Sequence, residues 1–231
     1  MTKRVFLIHG WGGTPDNHWF PWLSWELKAR GFEVLALTMP HADMPKVSEW
    51  VAAIKDAVGR SNARTYFVGH SLGCIAVVRY IVQLPKVAQV GGCVFVAGFS
   101  VFAQDGNEQL QNLNSALLPG RARVRTARPL SGEAQARVSP GAGVEKPFYT
   151  IPEINEFISL PLDIEKAKSH CPKFVTIFSD NDGYVSMEKS MEFQKALGAK
   201  AILERGKGHF TKREGVDALP SVFKSIVDMA G

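Results

Sequence analysis

Short apolar runs alternate with stretches of helical period along most of this chain, and no other feature constrains the fold as tightly. Residues 5–8, 32–37, 65–68, 90–97, 174–178 and 201–203 are apolar runs of strand length. Most are continuous rather than alternating, as strands become when helices cover both faces of a sheet. Between them, residues 19–30, 47–58, 72–83, 187–197 and 219–229 carry helical spacing. Val47, Val51, Ile54 and Val58 recur at steps of four and three, and Gly31 closes the first helix. The pattern predicts an α/β fold: a mostly parallel sheet of about six strands with helices on both faces. A chain of 231 residues, 45% of them hydrophobic, suits one core and is short for two domains with a linker.

One segment breaks the rhythm. Residues 98–170 are too long for an ordinary strand connection. Their middle, 117–144, is rich in Pro, Gly, Ser and Arg, including Arg121, Arg123, Arg125 and Arg128. Apolar residues return at Phe148, Tyr149, Ile154 and Phe157, and 163–168 is helix-like. The segment leaves the C-terminal end of the fourth strand, the edge where open α/β sheets place their binding sites. The expectation is therefore one domain over residues 1–231, with a cap-like insertion around 98–170 that sets substrate range. Trp19, Phe99, Phe148 and Tyr149 are the expected apolar wall of its pocket.

Gly69-His-Ser-Leu-Gly73 sits between the apolar run 65–68 and the apolar helix that begins Cys74-Ile-Ala-Val-Val78. A turn that tight strains the serine backbone and leaves no room for side chains two positions either side. It lifts the Ser71 hydroxyl above the sheet and aims the N–H groups of the following helix at any charge that develops there. A serine hydroxyl needs a base, and the base needs an acid to hold its tautomer. Of six histidines, His18 and His41 precede the serine, His9 follows the first strand, His70 belongs to the serine turn itself, and His170 precedes the fifth strand. His209, in Gly206-Lys-Gly-His-Phe210 after the last strand, is the expected base. The fifth strand ends in Ser179-Asp-Asn-Asp182-Gly183. Asp182, just before a glycine turn, is the expected acid, while Asp180 at the strand tip is expected to shape the loop. The oxyanion donors are expected to be the backbone N–H groups of Leu72 and of Trp11, in His9-Gly-Trp-Gly-Gly13 after the first strand.

Other chemistries fit less well. Gly10-Trp-Gly12 could open a dinucleotide fingerprint, but position 15 is Pro15 and the second strand ends in Thr38-Met-Pro40 with no ribose-binding acid. No His-Glu-x-x-His or Cys-x-x-Cys pattern occurs, so neither a metal nor any other cofactor is expected. A net charge of +5 is spread along the chain without a nucleic-acid module, so no nucleic-acid partner is expected. Three cysteines with no paired spacing do not suggest a disulfide framework. Residues 1–8 carry too short an apolar core for a signal peptide, and no run is long enough to span a membrane. The expected setting is cytoplasmic, with a small acyl substrate as the partner.

Taken as a set, Ile8-His-Gly-Trp-Gly-Gly13, Asn17-His-Trp-Phe-Pro-Trp-Leu23, Gly69-His-Ser-Leu-Gly-Cys74, Pro161-Leu-Asp163, Ser179-Asp-Asn-Asp182 and Gly208-His-Phe210 resemble a known family. It is the small serine hydrolases related to retinoblastoma-binding protein nine, in their bacterial branch. The resemblance implies a single-domain α/β-hydrolase with a Ser–Asp–His triad carried by Ser71, Asp182 and His209. The arginine-rich insertion departs from the family pattern, and Gly183 stands where relatives often have proline. Leu72-Gly-Cys74 lacks the final acid of a Leu-x-Cys-x-Glu motif, so no pocket-protein partner is implied. Hydrolysis of a small carboxylic ester is the leading expectation. Acyl transfer, or peptide and amide hydrolysis, could use the same triad, and a binding module that has lost catalysis is the alternative of another class.

Overall fold

In the computed structural model, which describes residues 2–99 and 152–231, the alternating pattern becomes one six-stranded sheet. The strands are β1 (Arg4–Ile8), β2 (Glu33–Leu37), β3 (Thr65–His70), β4 (Gly92–Val96), β5 (Phe174–Phe178) and β6 (Lys200–Leu203). Their order is β2-β1-β3-β4-β5-β6, and every pairing is parallel. Seven α-helices are present among the described residues: α1 (Phe20–Ala29), α2 (Val47–Val58), α3 (Leu72–Ile81), α4 (Asn155–Ser159), α5 (Ile164–His170), α6 (Met187–Leu197) and α7 (Pro220–Ala230).

The continuous apolar runs are explained by two cores, one on each face. Phe6 and Ile8 of β1, Phe67 of β3 and Phe95 of β4 point into the core beneath α2, α3 and α6. Their neighbours Val5, Leu7, Val68 and Val94 point the other way, against α1 and α7. With a period of two and both sides covered, the middle positions of these strands are apolar, and the polar residues Arg4, Thr65 and His70 stand at strand ends. Val5, Leu7 and Ile8 are fully buried, and each such side chain contributes roughly 1.5–3 kcal/mol.

The described end of the long insertion, 152–170, packs on the flank of the domain. Phe157 stacks edge-on against Trp50 of α2, with ring centres 5.3 Å apart. Arg79 of α3 is buried and donates to the carbonyls of Phe157 and Leu160, which closes the end of α4. Phe148, Tyr149 and the arginine-rich stretch lie outside the described residues. Among the described residues, no helix is long and apolar enough to cross a membrane.

The sheet order brings the functional loops together. Ile8 at the end of β1 pairs with Gly69 at the end of β3, so the glycine-rich loop 9–13 leaves the sheet beside the serine turn. The loops after β5 and β6 emerge from the same edge, side by side.

Candidate active site

Ser71 occupies the turn between β3 and α3 with φ 54° and ψ −121°, a left-handed conformation that a serine adopts only under strain. Both flanking glycines are required by space. A Cβ on Gly69 would lie 2.8 Å from the backbone N and Cα of Cys74. One on Gly73 would lie 2.6 Å from the His9 carbonyl oxygen, and closer still to that of Ile8. The serine is anchored by its N–H, which donates to the Val96 carbonyl at 2.8 Å.

His209 meets Ser71 across 138 residues of chain, with Nε2 2.9 Å from the serine Oγ. Its Nδ1 faces both oxygens of Asp182, at 2.8 and 3.0 Å. The carboxylate is itself fixed, because Asp182 Oδ1 accepts the N–H groups of Tyr184 and Val185 at 2.8 and 3.0 Å. The aspartate and histidine side chains are 3% and 6% exposed, so little water competes for this pair.

The loop that carries His209 is clamped, amide by amide, by side chains of other segments. Gly206 N–H donates to Asp180 Oδ1, Lys207 N–H to Ser179 Oγ and Gly208 N–H to Asn181 Oδ1, at 2.8, 3.0 and 2.8 Å. His209 N–H donates to Glu214 Oε1 at 2.8 Å. Gly208 has φ +53°, and a Cβ there would collide with the Glu214 carboxylate. His70 closes the clamp from below, since its Nε2–H donates to the His209 carbonyl at 2.9 Å. That ring is fully enclosed, and burial, reinforced by the nearby His209, holds it neutral with a pKa well below the usual histidine value. Asp180 therefore serves the loop, and also meets Arg205 at 3.2 Å, while Asp182 alone of the two reaches the imidazole.

Loop 9–13 approaches Ser71 so closely that a Cβ on Gly10 would touch the serine Cβ at 3.0 Å. His9 ties this loop to the end of β2: its Nδ1–H donates to the Gly10 carbonyl at 2.8 Å, and its Nε2 accepts the Met39 N–H at 3.2 Å. Burial lowers its pKa, which suits a ring that must keep one nitrogen unprotonated. The Trp11 indole N–H donates to the Asp43 carbonyl at 2.9 Å, and Gly12 N–H to Ala42 O at 2.8 Å, so the loop is latched from outside as well. Leu72 opens α3, where the first N–H groups of a helix have no acceptor within it.

A cavity of about 650 Å³ opens above Ser71 and His209. Trp11, Phe20 and Tyr184 give it apolar surface, and Asn17, His18, Lys212 and Arg213 make part of its wall polar. Two residues expected in the wall are elsewhere. Trp19 is fully buried, packed edge-on against Phe20 and His70 in the core beneath α1. Phe99 is buried in the opposite core, beneath α6. His18 explains the first correction. Its φ of 56° reverses the chain, so that His18 lines the cavity and the next side chain drops into the core. Phe99 follows β4 directly and is still within the packed layer. The places of His18, Tyr184 and Glu214 in the wall are not legible in the sequence: His18 lies in the Asn17-His-Trp motif, but nothing there marks its reversed backbone, and no short motif marks Tyr184. Glu214 does carry a signal, since Thr211-x-x-Glu214 has the form of a capping box, and the box is made.

Chemically, a hydroxyl hydrogen-bonded to an imidazole whose far nitrogen is held by a carboxylate can lose its proton as it attacks a carbonyl carbon. Neighbouring backbone N–H groups can take up the negative charge that forms on the oxygen.

Solved structures give the fold class. The YdeN gene product of Bacillus subtilis superposes with a TM-score of 0.76 at 25% identity, covering 99% of this chain and 98% of that one. Polyneuridine aldehyde esterase superposes at 0.57 and 15% identity over the full length of both chains. This is the α/β-hydrolase fold, as the motifs led one to expect. The family follows from sequence: the serine hydrolase family model matches residues 5–127 and 133–228, and the chain belongs to that family. In sequence it is 26% identical to the same YdeN protein over 223 residues, 96% of this chain and 94% of the relative. It is also 23% identical to the serine hydrolase RBBP9 of Rattus norvegicus over 231 residues, 99% of this chain and 97% of that one.

Proposed function

We propose that this serine hydrolase cleaves small carboxylic esters through an acyl-enzyme on Ser71, with His209 as general base and acid and Asp182 as its orienting carboxylate. The carrying observation is the continuous bonded line from Asp182 through His209 to the Ser71 oxygen, at 2.8 and 2.9 Å. Ser71 Oγ attacks the ester carbonyl while His209 Nε2 takes its proton. The tetrahedral oxyanion rests on the Trp11 and Leu72 N–H groups. Collapse expels the alcohol, which receives the proton from His209. Water, activated by the same imidazole, then releases the acid. The cavity volume suits a small substrate.

The test is labelling with a fluorophosphonate, located by mass spectrometry, together with turnover of short-chain esters. Labelling at Ser71 and a loss of about a million-fold in turnover in Ser71→Ala are expected. A chain that is folded but neither labels nor turns over any ester would be a binding module instead.

A further inference from the structure

The strained residue in the cavity wall has a hydrogen-bonding capacity that the reaction above does not use. His18 holds φ 56°, a left-handed backbone conformation that residues other than glycine adopt only under strain. Its Nδ1 accepts the Lys212 N–H at 3.0 Å. An amide N–H can only donate, so Nδ1 must carry a lone pair and the ring proton must sit on Nε2. Partial burial, helped by the nearby His209, favours this neutral ring. Nε2–H has no hydrogen-bond acceptor among the described residues, although His18 lines the cavity.

Position says what meets that donor. The His18 ring stands edge-on to His70 at 5.5 Å, and His70 lies 5.1 Å from the His209 ring. Lys212, which fixes His18, is three residues beyond His209 on the same loop. His18 therefore belongs to the His209 side of the cavity. In an acyl-enzyme mechanism the leaving alcohol lies there, because His209 must protonate it.

We propose that His18 is a substrate-binding residue whose Nε2–H donates to an acceptor oxygen on the leaving group. The site then favours esters of alcohols that carry an ether, hydroxyl or carbonyl oxygen close to the ester bond. The inference rests on the serine-hydrolase reading above, and its test separates the two. The exposed Lys212 and Arg213 side chains line the same wall and extend its polar character.

The experiment compares kcat/KM for 2-methoxyethyl acetate and butyl acetate, a matched pair differing by one oxygen for one methylene. The variants are His18→Ala and His18→Asn, the second chosen because asparagine tolerates left-handed backbone. The intrinsic reactivity of the two alcohols is common to all three proteins. The methoxyethyl-to-butyl ratio in the wild type is expected to exceed that in the variants by about fivefold, the effect of one hydrogen bond. Fluorophosphonate labelling of Ser71 should persist in both variants. Equal ratios in all three proteins, with labelling intact, would overturn the role of His18 and leave the hydrolase standing. Absence of labelling in the wild type would remove the hydrolase and the inference with it. Should neither variant fold, ring nitrogen NMR of the wild type decides: a proton on Nδ1 at neutral pH overturns the proposal, and one on Nε2 that shifts when 2-methoxyethanol is added supports it.

Discussion

Two aspartates two residues apart show how finely position divides labour. Asp182 reaches His209 because its loop turns immediately afterwards, and the turn is built on its own Oδ1. Asp180, two residues earlier, spends its carboxylate on the Gly206 N–H and Arg205. Asp182→Asn is therefore expected to cost about ten-thousand-fold in kcat, since an amide stabilises the wrong tautomer. Asp180→Asn keeps an acceptor for Gly206 and should cost far less; steady-state kinetics on one ester checks the ranking, and the reverse order would move the acid to Asp180. Ser71 was legible because a local rule governs it: strand, two glycines, helix. That Asp182 rather than Asp180 reaches the imidazole was legible from loop position. The place of His18 and the burial of Trp19 were not, because one left-handed residue redirects both side chains, and the Asn17-His-Trp motif gives no sign of that backbone.

Among elements, the strands and long helices were legible to within a residue or two of their ends, and α2 and α6 to the residue. Their periodicity is set by burial on two faces, which sequence records directly. Contacts between loops are not periodic, and the clamp on 206–209 could not be read from residue spacing. It makes distinct predictions. Asn181→Ala removes the acceptor for Gly208 N–H and also the partner of the Ser179 hydroxyl. It should lower kcat by about tenfold or more with little change in KM, as a displaced base would. Gly73→Ala presses a methyl against the Ile8 and His9 carbonyls, which are backbone and cannot swing away. A loss of at least about 2 kcal/mol in urea unfolding is expected; unchanged stability would mean that β1 and α3 are less rigidly joined than the geometry requires.

Across the whole molecule, His9, His18 and His70 all have pKa values lowered in the folded state, with burial the largest cause for each. The unfolded chain therefore binds more protons than the folded one once pH drops below the unfolded histidine value of about 6.5. Stability is complete above that pH and is lost as the solution is acidified through the window beneath it. The fully enclosed His70 alone can contribute a slope of as much as about 1.4 kcal/mol per pH unit. Urea midpoints measured from pH 7.5 to 5 should hold until about pH 6.5 and fall below it, more shallowly in His70→Gln, whose amide can still donate to the His209 carbonyl. A flat profile in the wild type would show that these rings gain protons without resisting.

The parallel sheet also sets a timetable. Ser71 and His209 are joined by one hydrogen bond in space but stand 138 positions apart in sequence. A ribosome making about 5–20 residues per second releases the Ser71 turn roughly 7–28 s before His209, its proposed base. Throughout that interval the nascent chain carries the serine without its histidine partner. The Ser71–His209 hydrogen bond can form only once the edge strand β6 and the loop behind it have left the ribosome and docked.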